Sequence, residues 1–224
     1  MPWKLILLAA AFGGVVNSAT AKTFQSQRAW QQHAEARAKE LRAKNGNGTD
    51  GQLQKQLLAM FEEDQRARGV RGGTLDPPAT LDDAALDILD ATLTVQLKQI
   101  VANHGWPTIA LVGAEASQAA GVMLIHSPDH TWQSQLLPDL QQLVDGDKIF
   151  GSDVATLTDS VLVLAGKPQR FGTRFEIRNR EVVILPVDEL QHLDERRERC
   201  LLPPMNVLRR ILEATYKMPV RGPS

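Results

Sequence analysis

Cysteine is almost missing from the chain. Cys200 is the only one in 224 residues. A single thiol closes no internal disulfide, and without a CxxC or ribbon spacing no zinc site can be built on cysteine. Cys200 follows Glu195-Arg196-Arg197-Glu198-Arg199. Arginines there could lower its pKa and make it reactive, although an incidental thiol is the plainer reading. An excess of charge is missing too: 25 Lys and Arg face 26 Asp and Glu, a net −1. Nucleic acid calls for a basic stripe, so it is not an expected partner. No nucleotide-cofactor motif and no internal repeat is present. After Val16 no stretch is expected to cross a membrane, which takes roughly 20 apolar residues.

The one long apolar run lies at the start. Lys4 precedes Leu5 to Val16, Asn17 and Ser18 break the run, and Ala19-Thr20-Ala21 supplies small residues. This is the layout of a signal peptide cleaved near Ala21/Lys22. The expected protein is therefore exported, to the periplasm or beyond, and free of the membrane once the signal is cut. No cysteine follows the run, so it carries no lipoprotein anchor. Cleavage leaves 203 residues with a net charge of −2, suited to one domain with an arm.

Periodicity divides the rest. Residues 22–51 read as a polar helical arm (Phe24 to Lys44) and a linker, Asn45-Gly46-Asn47-Gly48-Thr49-Asp50-Gly51. Residues 52–216 read as one helical domain with a hairpin, and 217–224 as a flexible tail. Leu53, Leu57, Met60 and Phe61 mark a helix over 52–68. A loop follows, punctuated by Gly72-Gly73 and Pro77-Pro78. Thr80 is then expected to cap a helix reaching about Asn103. Further helices are expected over 114–126, 131–144 and 152–164, with short ones near 188–199 and 205–216. From Arg170 the period changes to two, Phe171, Thr173, Phe175 and Ile177 alternating with charged residues. The expected fold is mainly α, an orthogonal helical bundle with one C-terminal β-hairpin over about 170–186.

Some polar residues fall in apolar places. Asp64 follows Leu53, Leu57 and Met60 at i+11, i+7 and i+4, so it points along the buried stripe. Asp90 sits among Leu86, Leu93 and Leu97. A desolvated carboxylate needs a partner. His126 ends an apolar helix. Asp64, Asp90 and His126 around one cleft could divide acid and base roles or hold a divalent metal. The plainer alternative is capping and arginine pairing. Glu115 shares a face with His126 but stands about 16 Å away, so the two cannot ligate one ion. His126, Asp129 and His130 have helical ligand spacing, but Pro128 favours a loop there. On the hairpin, Gln169, Arg170, Gly172, Thr173 and Arg174 form a second polar group, in which arginines could grip a carboxylate or phosphate. The alternative is a solvated strand face.

These stretches together resemble an uncharacterised bacterial family, catalogued as a domain of unknown function. The likeness spans about Leu53 to Pro204. It runs through Glu62-Glu63-Asp64-Gln65, Asp90, His104-Gly105-Trp106-Pro107-Thr108, Glu115-Ala116-Ser117 and His126. It resumes at Leu157-Thr158-Asp159, Gly166-Lys167-Pro168-Gln169-Arg170-Phe171-Gly172-Thr173 and Asp194-Glu195-Arg196-Arg197. The resemblance implies no known activity. It implies family polar positions at Asp64, Gln65, Asp90, His126, Gln169, Arg170 and Thr173. The chain departs from the pattern at Pro128, where an acid is usual, at Phe171 for tyrosine and at Arg174 for glutamine.

Two functions are compatible with this reading. One is a hydrolase or group-transfer enzyme with Asp64, Asp90 and His126 as its catalytic set. Gln65, Gln169, Arg170 and Thr173 would then hold a small polar or anionic ligand. The other is a non-catalytic periplasmic binding or interaction protein with a protein partner. No cofactor is indicated by a motif; a divalent metal is the one candidate.

Overall fold

The structure, a computed structural model, describes residues 21–71, 74–75 and 82–223. The signal segment through Thr20, the Thr80 cap and the Gly72-Gly73 and Pro77-Pro78 breakers lie outside the described residues. Among the described residues the fold is mainly α, 69% helical with eight α-helices and a small C-terminal sheet.

The arm is helix α1, Ala21–Asn45, and α2 follows at Gly51–Ala67. Asp50 caps α2 by accepting from the backbone N–H of Gln52 and Leu53, which satisfies two of the four orphan donors at a helix start. The stripe predicted from 3.6 periodicity is buried as Leu53, Leu57, Met60 and Asp64. The loop expected after α2 contains a two-residue ladder instead: β1, Val70–Arg71, pairs antiparallel with β2, Thr74–Leu75. Helix α3, Asp83–His104, starts later than expected because the Asp82 side chain accepts from the Ala85 N–H. It ends at Gly105, whose φ of 73° suits glycine.

Helix α4, Ile109–His126, is the hub, packing against α1, α2, α3 and α6. It starts five residues before the expected Ala114, because the chain is already helical ahead of a kink at Gly113 (φ 80°). The linker lies in this kink: Thr49 N–H and Asp50 N–H both donate to Leu111 O. A Cβ on Gly113 would come within 2.8 Å of Asn47 O, so the kink and the linker fit only through glycine. By length and composition α4 could cross a membrane, contrary to the expectation that no stretch past Val16 could. It is a core helix here, 67% buried inside the fold.

Helices α5, His130–Asp145, and α6, Gly151–Leu164, pack together. The expected strand from Arg170 begins only at β3, Phe175–Arg178, which pairs antiparallel with β4, Glu181–Ile184. The preceding residues are drawn out of the ladder by Asp159 of α6, which accepts from the N–H of Arg170, Phe171 and Thr173. Gly172, at φ 67°, makes the bend possible. The residues between β3 and β4, Asn179 and Arg180, both have positive φ, as a two-residue I′ hairpin turn requires. After α7, Leu193–Arg199, and α8, Met205–Tyr216, the expected flexible tail is docked: Val220 and Arg221 form β5, parallel to β4. Val182, Ile184, Leu193, Met205, Leu212 and Val220 make a second core beneath this sheet, distinct from the larger one around α4.

Candidate functional site

Two polar centres lie in this frame. The first joins the C-terminal ends of α2 and α4 to the middle of α3. Asp64 is fully buried, and its Oδ1 lies 2.8 Å from His126 Nδ1. The same oxygen accepts from Arg68 Nε at 3.1 Å, and Oδ2 accepts from Gln65 Nε2 at 2.7 Å. Arg68 continues to Asp90, donating through Nη2 to Oδ1. One guanidinium thus spans the two inward carboxylates.

The charges follow from these contacts. Burial raises the Asp64 carboxyl, but the His126, Arg68 and Gln65 contacts outweigh it and hold the group below the usual carboxylate range. Asp64 is therefore an ionised acceptor, and His126 Nδ1 must carry the proton it shares. Asp90 goes the other way: burial raises its carboxyl more than Arg68 lowers it. Two neighbouring acids pushed apart in this manner are a mark of divided acid and base roles. With Nδ1 committed, His126 Nε2 is left buried and without a partner. The His126 side chain is only 4% exposed, against 20% for Arg68 and 15% for Asp90. A ligand would approach from the Arg68 and Asp90 side.

Asp64, Asp90 and His126 each offer a ligand atom within 4.8 Å of the others, so they form a candidate set for a divalent cation. Arg68 already supplies a cation between the two carboxylates, and an ion would have to displace it. The alternative ligand run does not assemble. Asp129 caps α5 and pairs with Lys98 at 2.5 Å, while His130 Nδ1 contacts Gln133 Oε1 at 2.9 Å.

The second centre lies between α6, α7 and the start of the hairpin. Asp159, fully buried, accepts the three N–H groups described above and also Thr173 Oγ1 at 2.8 Å. Gln169 is fully buried; its Nε2 donates to Arg174 O and Leu185 O, and its Oε1 accepts from Arg174 N–H. Arg197, 1% exposed, donates to Pro203 O and Phe171 O. Of the sequence-predicted residues, then, Asp64, Gln65, Asp90 and His126 come together. Gln169 and Thr173 belong to this other centre and use their polar groups internally. Arg170 is exposed there.

Cys200 is buried against Gly151, and burial pushes its thiol up to about 11 despite Arg170 and Arg197 nearby. Arginine activation is overridden, and the thiol is inert at neutral pH.

Arg68, Asp159 and Arg197 are not among the expected site residues, although Asp159 and Arg197 lie in stretches that carry the family resemblance. Arg68 stands at i+4 from Asp64, a spacing that signals a helical ion pair. Asp159 is four residues past the buried Ala155, the same i+4 relation that Asp64 has to Met60. Periodicity does not mark Arg197, which sits in a run of charges; only its place in a stretch shared with the family singles it out.

The model of a family described as "Family of unknown function (DUF6624)" matches residues 51–221. No curated protein and no solved structure matches the chain.

Proposed function

The chain belongs to this family of unknown function, and we infer from its own residues that it is an exported enzyme, a hydrolase or group-transfer enzyme centred on Asp64 and His126. The observation that carries the reading is the pairing of His126 Nδ1 with the buried Asp64 carboxylate, which leaves Nε2 without a partner. A carboxylate that holds one imidazole nitrogen fixes the tautomer and presents the other as a base. In the proposed step Nε2 takes the proton of water, or of an acceptor hydroxyl, as its oxygen attacks the substrate. The same nitrogen returns the proton to the leaving group. Asp64 stabilises the transient imidazolium. Asp90, ion-paired with Arg68, lines the side from which a substrate would come, and Gln65 and Arg68 help to keep Asp64 ionised. Export rests on the N-terminal sequence pattern.

A screen of the purified mature chain against ester, amide and phosphoester substrates tests this, with His126→Gln and Asp64→Asn run beside it. General acid–base catalysis contributes roughly 10²–10⁴-fold. The expected result is turnover that falls by at least about 100-fold in His126→Gln while circular dichroism is unchanged. Turnover that survives His126→Gln sinks the assignment. The second reading, a non-catalytic periplasmic binding protein, is favoured by the internal pairing of Gln169 and Thr173. It expects no turnover by the wild type on any of these substrates.

A further inference from the structure

Ser117 and Asp153 face one narrow cavity between α4 and α6, walled by Leu124, Leu140, Ile149 and Leu157. Its interior has room for about one water molecule. Ser117 is 4% exposed, and its hydroxyl is buried with no partner. A helical serine or threonine ordinarily closes a bond to the carbonyl four residues back. Thr92, Thr94, Thr156, Thr158 and Ser160 all do so here. For Ser117 the residue four back is Gly113, the kink, whose ψ of 165° turns its carbonyl away from the helical direction. The kink that seats the linker therefore orphans this hydroxyl.

Asp153 approaches the same space from α6. Its Oδ2 lies 2.8 Å from where a Cβ on Gly121 would stand, so the carboxyl rests on the bare backbone of α4. Gly121 is one helical turn beyond Ser117, and side chains at that spacing begin about 5–6 Å apart. The Ser117 hydroxyl and the Asp153 carboxyl therefore reach the same small space at adjacent turns of α4. A buried water needs two to four polar partners, and these two groups meet that minimum. Burial pushes the Asp153 carboxyl up to about 7. Water donates or accepts equally well, so it satisfies either protonation state without moving a helix.

We propose that this cavity is an internal hydration site, in which one water held by Ser117 Oγ and the Asp153 carboxyl joins α4 to α6. The site would tie the helix that carries His126 to the helix that carries Asp159.

A high-resolution crystal structure of the mature chain, with the melting temperature of Ser117→Ala, tests the proposal. The expected result is an ordered water within hydrogen-bond distance of both groups. Ser117→Ala should then melt about 2–4 °C lower, because the water loses a partner. A dry cavity, or a Ser117 hydroxyl bonded to a protein group, overturns the proposal. So does a Ser117→Ala melting temperature equal to or above wild type, because deleting an orphaned hydroxyl is neutral or stabilising.

Discussion

Asp64 and Asp153 are both carboxylates at helix–helix contacts, yet their titrations should act on stability with opposite sign. Asp64 is held below its ordinary range by its partners. The stability it contributes is present above the unfolded carboxylate value, near pH 4, and is lost as pH falls through the lower folded value. Asp64→Asn should therefore flatten the acid limb of a plot of urea midpoint against pH. It should also lose about 3–5 kcal/mol at neutral pH, as breaking a buried ion pair does. Asp153 is raised to about 7. Its stabilising effect is full below pH 4 and is lost progressively as pH climbs from there to about 7. The residue still touches solvent in part, so the loss should be about 1–2 kcal/mol, well short of what full burial implies. Asp153→Asn should remove that decline between pH 4 and 7, and an unchanged slope refutes the assignment. Asp64 was legible in the sequence because the period of a helix fixes which face a side chain joins. The bridge through Arg68 was not, because a long side chain's direction is set by Asp90, 22 residues away.

Helices were legible for the same reason, and the ends of α5 and α6 fall within about a residue of where capping and breaker residues placed them. Two of the misreadings share a physical origin: a tertiary hydrogen bond overrode a local pattern. Residues 170–174 alternate like a strand, but their N–H groups go to Asp159, so the ladder starts at Phe175. Helix α4 starts early because the linker fills the kink at Gly113, a contact made at long range. This makes Asp159 the organiser of the hairpin entrance. Asp159→Ala strands three backbone donors and one hydroxyl, each costing about 1–3 kcal/mol when left unpaired. A destabilisation of at least about 3 kcal/mol in chemical denaturation is expected, allowing for water reaching the exposed edge of the loop. The amides of Arg170, Phe171 and Thr173 should lose hydrogen-exchange protection first. If those amides stay protected in a folded variant, Asp159 does not organise the loop.

The whole molecule extends beyond the part the family shares, which spans residues 51–221. Helix α1 lies outside it yet is docked on it. Leu41 is buried with Ile109, Ala114 and Phe150. Arg37 and Lys44 pair with Asp147, and Asn45 donates to Asp147 O. The sequence shows the arm as polar, and Leu41, one of its few large apolar residues, is what docks. Two contributions can be told apart by salt. The Arg37 and Lys44 pairs are partly exposed, so each is worth about 0–1 kcal/mol and weakens with ionic strength. Burial of the Leu41 contact contributes about 2 kcal/mol and does not weaken. A chain beginning at Asn47 should therefore be less stable by about 2–4 kcal/mol at low salt. Most of that deficit should persist in 1 M NaCl. A truncated chain as stable as the full one makes the arm an appendage. A deficit that vanishes in salt leaves the ion pairs, not Leu41, as what holds the arm. If the arm docks through Leu41, its removal also uncovers Ile109 and Phe150 at the start of α4 and α6. The truncation should then loosen the α4–α6 contact, and amide exchange in both helices should quicken well away from the cut.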